Sequence, residues 1–173
     1  ASYYPNLLNQ YWSNTVPGIV DVMGVAYATN SVTVNAFATS RKGEYFRKEL
    51  PVANSSGPVW TNVTVNATGQ ATVSGSASVP PALQEFTYDG DGNLTGDGLW
   101  TCGWDAENRL TSMESQWTVP EGARKRLELE YDYQGRRIEK VVYSWDSQIW
   151  SYVPAYTNRF VYDGWNLIAV LDG

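Results

Sequence analysis

The chain has 173 residues, no histidine, one cysteine (Cys102), 17% charged residues and a formal net charge of -6. These numbers exclude an intrachain disulfide, a Cys/His zinc site and any triad that uses histidine as base, and they argue against the basic stripe of a nucleic-acid surface. The length suits one domain or two small ones, and the 14% aromatic content, almost all Tyr and Trp, suits half-buried sheet faces where one end of the ring packs and the other hydrogen-bonds.

Residues 1–11 lack the basic start and apolar core of a signal peptide. The apolar stretches near Val16–Ala28 and Leu167–Leu171 are short or broken by Asp21, far below the ~20 residues of a spanning helix, so no membrane span is expected. Further along, apolar and polar residues alternate in Val32-Thr-Val-Asn-Ala-Phe37, Val63-Thr-Val65 and Ala71-Thr-Val73. In residues 121–131 the alternation sets Leu127, Leu129 and Tyr131 against Arg126, Glu128 and Glu130. Period two means half-buried strands, and Gly/Asn/Asp/Ser clusters separate the runs about every 8–12 residues, so the chain reads as all-β. Composition shifts from Val/Thr/Ser/Asn to Trp/Tyr/Asp/Arg/Glu at Val79-Pro-Pro81, which marks a domain boundary. The strand-like ending at residues 166–173 leads us to expect a piece of a longer chain.

An aromatic–Asp pair recurs four times: Tyr88-Asp89, Trp104-Asp105, Tyr131-Asp132 and Tyr162-Asp163. Four positions after each aromatic stands Gly92, Asn108, Gly135 or Asn166, and an aliphatic follows at Leu94, Leu110, Ile138 or Leu167. Asp can cap a type I turn with its side chain, and Gly or Asn three residues on can take the positive φ that closes a three-residue hairpin loop. Each repeat is then one hairpin, and a single hairpin cannot bury its own face, so the hairpins must associate. All four Gly/Asn positions are expected at positive φ.

Tyr88-Asp-Gly-Asp-Gly-Asn-Leu-Thr95 (with Asn93), Trp104-Asp-Ala-Glu-Asn-Arg-Leu-Thr111 (with Arg109) and Tyr131-Asp-Tyr-Gln-Gly-Arg-Arg-Ile138 (with Arg136) resemble the YD-repeat, or Rhs, family over residues 83–173. Asn6-Leu-Leu-Asn-Gln-Tyr11 is similar to the segment that often shortly precedes a YD element in that family. Residues 24–35, 38–46, 59–66 and 70–79 resemble a small bacterial immunoglobulin-like module, with Ala36 where that pattern usually has glycine. The resemblance implies three segments: residues 1–14 as the first strand of a YD sheet, 15–82 as an inserted immunoglobulin-like β-sandwich, and 83–173 as YD repeats. Residues 9–12 should then pair with residues 85–88, and the module should carry a core of Val20, Val25, Val32, Val34, Phe37, Val63, Val65 and Val73. The family builds hairpin sheets that spiral into a shell, in bacteria around a C-terminal toxin and in animal teneurins as part of an adhesion receptor. A non-catalytic segment of a secreted or cell-surface bacterial protein is the function implied, with further repeats and a C-terminal effector of its own polypeptide as partners. Members of that family also cut themselves at an Asp-Pro dipeptide, which this sequence lacks, so no self-cleavage is expected.

Other chemistry has a plainer reading at each candidate. Asp89/Asp91/Asn93 imitates the opening of a calcium loop, but Leu94 and Trp100 stand where that loop needs glycine and a carboxylate. Glu107, Glu114, Glu128 and Glu130 could serve a glycosidase, yet no spacing marks a pair. Arg124-Lys-Arg126 and Arg136-Arg137 lie near Glu121, Glu128, Glu130 and Glu139, so cross-strand ion pairs are expected in place of an anion site. Cys102 has no histidine to activate it. The sequons at Asn54, Asn62, Asn66 and Asn93 carry no function in a bacterial source. No cofactor and no metal are expected. The alternative function is carbohydrate binding or adhesion to a cell-surface glycan or protein through exposed Trp and Tyr, with Trp100, Trp117 and Trp150 as the glycan contacts.

Overall fold

The computed structural model describes residues 3–8 and 10–173 as an all-β chain with several antiparallel sheets, none closed. Asn9, expected in the pairing with residues 85–88, lies outside the described residues. The strands in chain order are β1 (Tyr3–Pro5), β2 (Tyr11–Thr15), β3 (Ile19–Val25), β4 (Val32–Val34), β5 (Phe37–Ala38), β6 (Ser40–Lys42), β7 (Tyr45–Pro51), β8 (Val59–Ala67) and β9 (Val73–Val79). They continue with β10 (Leu83–Glu85), β11 (Thr87–Tyr88), β12 (Leu94–Gly96), β13 (Trp100–Trp104), β14 (Leu110–Ser115), β15 (Lys125–Tyr131), β16 (Arg137–Asp146), β17 (Ser151–Asp163) and β18 (Asn166–Asp172). A 3-10 turn, Glu121–Ala123, precedes β15. Chain contacts divide the molecule into two compact units, residues 15–83 and the remainder on either side of them.

The first unit holds two antiparallel sheets, β3-β7-β6 and β5-β4-β8-β9. Their facing side chains share one core of Ala26, Val32, Val34, Phe46 and Leu50, with Val20, Val22, Val63, Val65 and Ala67 against it. Along β3 the even-numbered residues turn inward, so Val20 and Val22 pack while Ile19, Met23 and Val25 face out. Three residues expected in this core, Val25, Phe37 and Val73, are therefore exposed. Each sits one step out of phase with the inward face of its strand or at the strand's end, and a single step moves a side chain to the opposite face. Phe46 supplies the ring that Phe37 was expected to supply. It lies over Gly24, where an added Cβ would come within 2.6 Å of the ring. The two ends of this unit run side by side: the Val16 N–H donates to Ala82 O at 2.9 Å. Asn54, only 5% exposed, ties both ends together. Its Nδ2 donates to Val16 O at 3.2 Å and Pro80 O at 2.9 Å, and its carbonyl accepts from the Ala82 N–H at 2.9 Å.

The second unit is a meander. An eight-stranded sheet runs β11 to β18 with every strand beside its sequence neighbour, and β1, β2 and β10 form a three-stranded sheet. Only Phe86, whose N–H donates to Trp12 O at 3.0 Å, separates β10, paired with β2, from β11, paired with β12. Among the described apolar side chains of residues 84–173, only Val119, Leu129 and Val142 are buried. An antiparallel meander puts alternate connections at opposite ends of its strands. The four aromatic–Asp turns therefore share one end. The β12–β13, β14–β15 and β16–β17 connections share the other.

Candidate functional site

The aromatic–Asp turns are built alike at three positions. In each, the strand register shifts just before the aromatic: between Thr87 and Tyr88, Gly103 and Trp104, Glu130 and Tyr131. The Asp N–H then donates to the carbonyl four residues on (Asn93, Arg109, Arg136), each at 3.0 Å, which closes a three-residue loop with a bulge. One carboxylate oxygen of Asp89, Asp105 and Asp132 accepts the backbone N–H groups two and four residues ahead. The other accepts from the side chain at the fourth position: Asn93 Nδ2 at 3.0 Å, Arg109 Nε at 2.7 Å, Arg136 Nε at 2.8 Å. Gly92, Asn108 and Gly135 take φ of 90°, 59° and 79°.

These bonds favour the ionised carboxylates. Asp89 is held below the ordinary carboxylate range by the Asn93 side-chain bond and then by backbone N–H groups. Asp105 is lowered first by the Arg109 N–H and then by its guanidinium, against desolvation. At Asp132 desolvation pushes upward, and the bonds from Arg136 and Gln134 outweigh it.

The fourth turn departs from the expected form. Asp163 pairs directly with Asn166 across a two-residue connection, and Gly164 carries the positive φ at 57°. Asn166 is the first residue of β18 and does not share the left-handed region. Glycine at the first loop position closes a two-residue hairpin at lower cost than asparagine closes a longer one. Sequence reasoning also missed an additional turn. Between β1 and β2, Asn6 does what the aspartates do: its Oδ1 accepts the N–H groups of Leu8 and Gln10, each at 2.9 Å, and its Nδ2 donates to Gln10 Oε1 at 2.8 Å. Pro5 stands in the aromatic's place, opposite Tyr11 after a register shift. The signal was an Asx residue followed four positions later by a polar side chain, which the search for aromatic–Asp pairs passes over.

The side chain at that fourth position also reaches the next turn. Gln10 Nε2 donates to Gly92 O at 3.3 Å, Asn93 Nδ2 to Asn108 Oδ1 at 2.8 Å, Arg109 Nη1 to Asp132 O at 3.5 Å, and Arg136 Nη1 to Gly164 O. The two guanidiniums lie over the next aromatics, Arg109 5.3 Å from the Tyr131 ring and Arg136 5.1 Å from the Tyr162 ring. Each aromatic in turn donates to a backbone carbonyl in the preceding hairpin: Tyr88 to Tyr11 O, Trp104 to Leu94 O, Tyr131 to Leu110 O and Tyr162 to Arg137 O, at 2.8–3.0 Å. The turns thus form a continuous ladder along one end of the strands. At the corresponding place in the last turn stands Leu167, which has no donor to extend it.

Both oxygens of Asp89 are used within its turn, and among the described residues no group of three or more His, Cys, Asp or Glu could hold a metal. Arg136 pairs with Asp132 of its own turn, in place of a cross-strand glutamate. Arg124 lies 4.2 Å from the Trp117 ring and donates to Val119 O and Trp117 O, because the loop around it offers carbonyls and a ring in place of a carboxylate. Arg126 binds Glu128 on its own strand and reaches across the sheet only to Glu114, at 3.9 Å, while Glu139 takes its cross-strand partner, Arg159 at 2.9 Å, from outside the basic clusters. Burial pushes the Cys102 thiol up, with Asp97 adding to the effect, so it is a poor nucleophile near neutral pH.

A concave surface of about 820 Å³ runs over the sheet from Cys102, Gly103 and Ser112 on β13 and β14 to the β14–β15 and β16–β17 connections. Trp117 and Trp150 both line it; Trp100, on β13, does not. Trp145 and Tyr152, paired across β16 and β17, complete the aromatic wall. Trp145 meets Trp117, Trp150 and Tyr152 edge-on at 5.1, 6.2 and 5.2 Å. Glu114, Arg126 and Tyr143 stand side by side on the sheet as the floor. Tyr143 OH donates to Glu128 Oε2 at 2.6 Å, and Arg126 also binds Glu128. Among the described residues no helix is long and apolar enough to cross a membrane.

No protein-family model matches the chain, and no curated protein matches it.

Proposed function

We propose that the chain is a non-catalytic wall segment of a larger YD-repeat, Rhs-type protein, secreted or displayed on a bacterial surface, with residues 15–82 as an immunoglobulin-like module inserted between two of its hairpins. The observation that carries this reading is the ladder of turns, in which each repeat supplies the hydrogen-bond donor that fixes the next. Such a device sets the order and spacing of hairpins along a sheet, and its product is a long wall rather than a reactive centre. Support also comes from the last strand. Among the described residues β18 has one neighbour, and Leu167, Ile168, Val170 and Leu171 stay exposed along it. A long apolar strand with a free edge is an association surface. In the proposed setting it takes up the next strand of the longer polypeptide, and the finished wall encloses or presents a C-terminal effector.

Hydrogen exchange on the protein with its natural flanking sequence tests this reading. The β18 amides that point away from β17 exchange rapidly in the 173-residue chain and become protected in the longer protein. Unprotected β18 amides in the longer protein overturn it.

A further inference from the structure

We propose that β9 is a dimerisation edge, along which a second copy of this chain pairs antiparallel about a twofold axis at Ser76 and joins two four-stranded sheets into one of eight strands. This inference concerns the first unit alone and does not depend on the wall reading.

The two sheets of this unit end in four edge strands, and three of them are blunted. β3 carries Asp21, β6 carries Arg41 and Lys42, and β5 is two residues long. Charge, shortness, proline and bulges are the ordinary means of keeping an edge from pairing with another chain. β9, Val73-Ser-Gly-Ser-Ala-Ser-Val79, has none of them. Its seven residues keep unbroken register with β8, and among the described residues β8 is its one strand neighbour. The backbone N–H and C=O groups on its other side are therefore a template for a further strand. Charge also separates the two sheets. Every charged residue of positions 15–83, Asp21 and the six from Arg41 to Glu49, belongs to the β3-β7-β6 sheet or to its β6–β7 turn. The β5-β4-β8-β9 sheet carries none. Two copies of a chain with a net charge of -6 repel, and this sheet lets them meet without like charges opposite one another.

The strand matches itself in reverse. About Ser76 its sequence mirrors: Gly75 against Ala77, Ser74 against Ser78, Val73 against Val79. An isologous pair calls for such self-complementarity, because residue i of one copy meets residue j of the other and j meets i. In that register mates stand directly opposite on the same face of the sheet. Val73 shares the core-facing side with its β8 partner Val65, which packs on the core, yet Val73 is 65% exposed. Pairing sets it beside Val79 of the second copy and gives it an apolar neighbour. Ser74, Ser76 and Ser78 lie on the solvent face, where Ser76 Oγ donates to Asn62 Oδ1 at 3.0 Å and Ser74 Oγ lies 3.4 Å from Thr64 Oγ1. A seven-residue edge is a small contact beside a standard interface of about 1,600 Å², so the dimer is weak and its population follows concentration.

The test uses the 173-residue chain carrying Cys102→Ser, so that the native thiol does not compete. Sedimentation velocity from the micromolar to the millimolar range should show monomer giving way to dimer. Ser76→Cys places the new thiol opposite its own copy, with Cα atoms about 4.5–5.5 Å apart, a separation a disulfide spans. Oxidised glutathione should link this variant into covalent dimers. Ser74→Cys, whose own copy stands about 13 Å further along the strand, should stay unlinked. Ser74→Lys with Ser78→Lys sets like charges opposite one another twice and should weaken the dimer by at least about tenfold. Ser74→Lys with Ser78→Glu sets opposite charges there and should dimerise at least as well as the parent. These positions face solvent, thermal melting checks the fold of each variant, and the two cysteine variants, which exchange one oxygen for sulfur, read the register without the charged ones. A monomer at every concentration overturns the proposal. So does equal linking of the two cysteine variants, or equal association of the two charge pairs. A dimer that Ser74→Lys with Ser78→Lys leaves intact, as pairing through β18 would, also overturns it.

Discussion

Asp132 holds Arg136 twice: one carboxylate oxygen accepts the Arg136 backbone N–H at 3.0 Å and the other its Nε at 2.8 Å. The same guanidinium then reaches Gly164 O and lies 5.1 Å from the Tyr162 ring. One aspartate thereby shapes its own turn and aims the side chain that fixes the next.

Removing that carboxylate should cost more than removing the one in the last turn. Asp132→Ala frees two backbone N–H groups and unhooks Arg136 from its turn, whereas Asp163 pairs as an ordinary strand residue. Thermal melting should show a drop of several degrees for Asp132→Ala and a much smaller one for Asp163→Ala. Equal drops would contradict the capping role.

The three capping aspartates also give a pH dependence of known sign. Their carboxyls are held below the ordinary range in the fold, so the unfolded chain takes up protons first as pH falls. The stability they contribute is complete above the unfolded carboxyl pKa of about 3.9 and is lost as pH falls through the lower folded values. Urea midpoints should therefore decline below about pH 4, and the triple Asp→Asn variant at these positions should show a shallower decline over the same window.

Gly92→Val should destabilise more than Gly90→Val. Gly92 sits at φ 90° while Gly90 does not take positive φ, and no atom lies within 4 Å of a Cβ built at Gly90. A β-branched residue forced into that region costs about 1–3 kcal/mol. Denaturant unfolding of the two variants measures the difference, and a Gly90→Val cost as large would remove the argument.

Ala36→Gly should stabilise the first unit. Asn35 and Ala36 both have positive φ, 48° and 65°, in the two-residue turn that joins β4 to β5. Alanine is strained there and glycine is not. Part of the gain is offset by glycine's greater freedom in the unfolded chain, which leaves an increase of up to about 1 kcal/mol. An unchanged or lower unfolding midpoint would count against it.

Asn54→Ala should loosen the place where the two ends of the first unit meet. It leaves Val16 O and Pro80 O without their buried donor, a loss of about 1–3 kcal/mol. Faster hydrogen exchange at Val16 and Ala82 should accompany the lower stability. Normal protection at both amides would show that other bonds hold the ends.

The repeat was legible because a turn is a local object. Spacing from aromatic to Asp to Gly or Asn is enough to place Gly92, Asn108 and Gly135 at positive φ, since the choice rests on the steric cost of each residue's own backbone. The same rule misplaced Asn166, because Gly164 offered a cheaper closure that spacing alone does not rank. The Asn6 turn stayed hidden because proline had replaced the aromatic while the capping bonds persisted.

What the sequence determined by itself is the all-β character, the period-two strands, and the turn chemistry of residues 89–92, 105–108 and 132–135. All of these depend on contacts within a few residues. Three things only the tertiary structure decided. The phase of β3, which turns Val22 inward and exposes Val25, depends on what faces the strand from the other sheet. The ladder from Gln10 to Gly92 joins residues 82 positions apart. The aromatic cleft gathers Trp117 and Trp150 from two different connections and Trp145 and Tyr152 from two strands. The reason is physical: strand register and side-chain convergence are set by cross-strand neighbours, and a chain's local preferences carry no information about which distant strand will lie alongside.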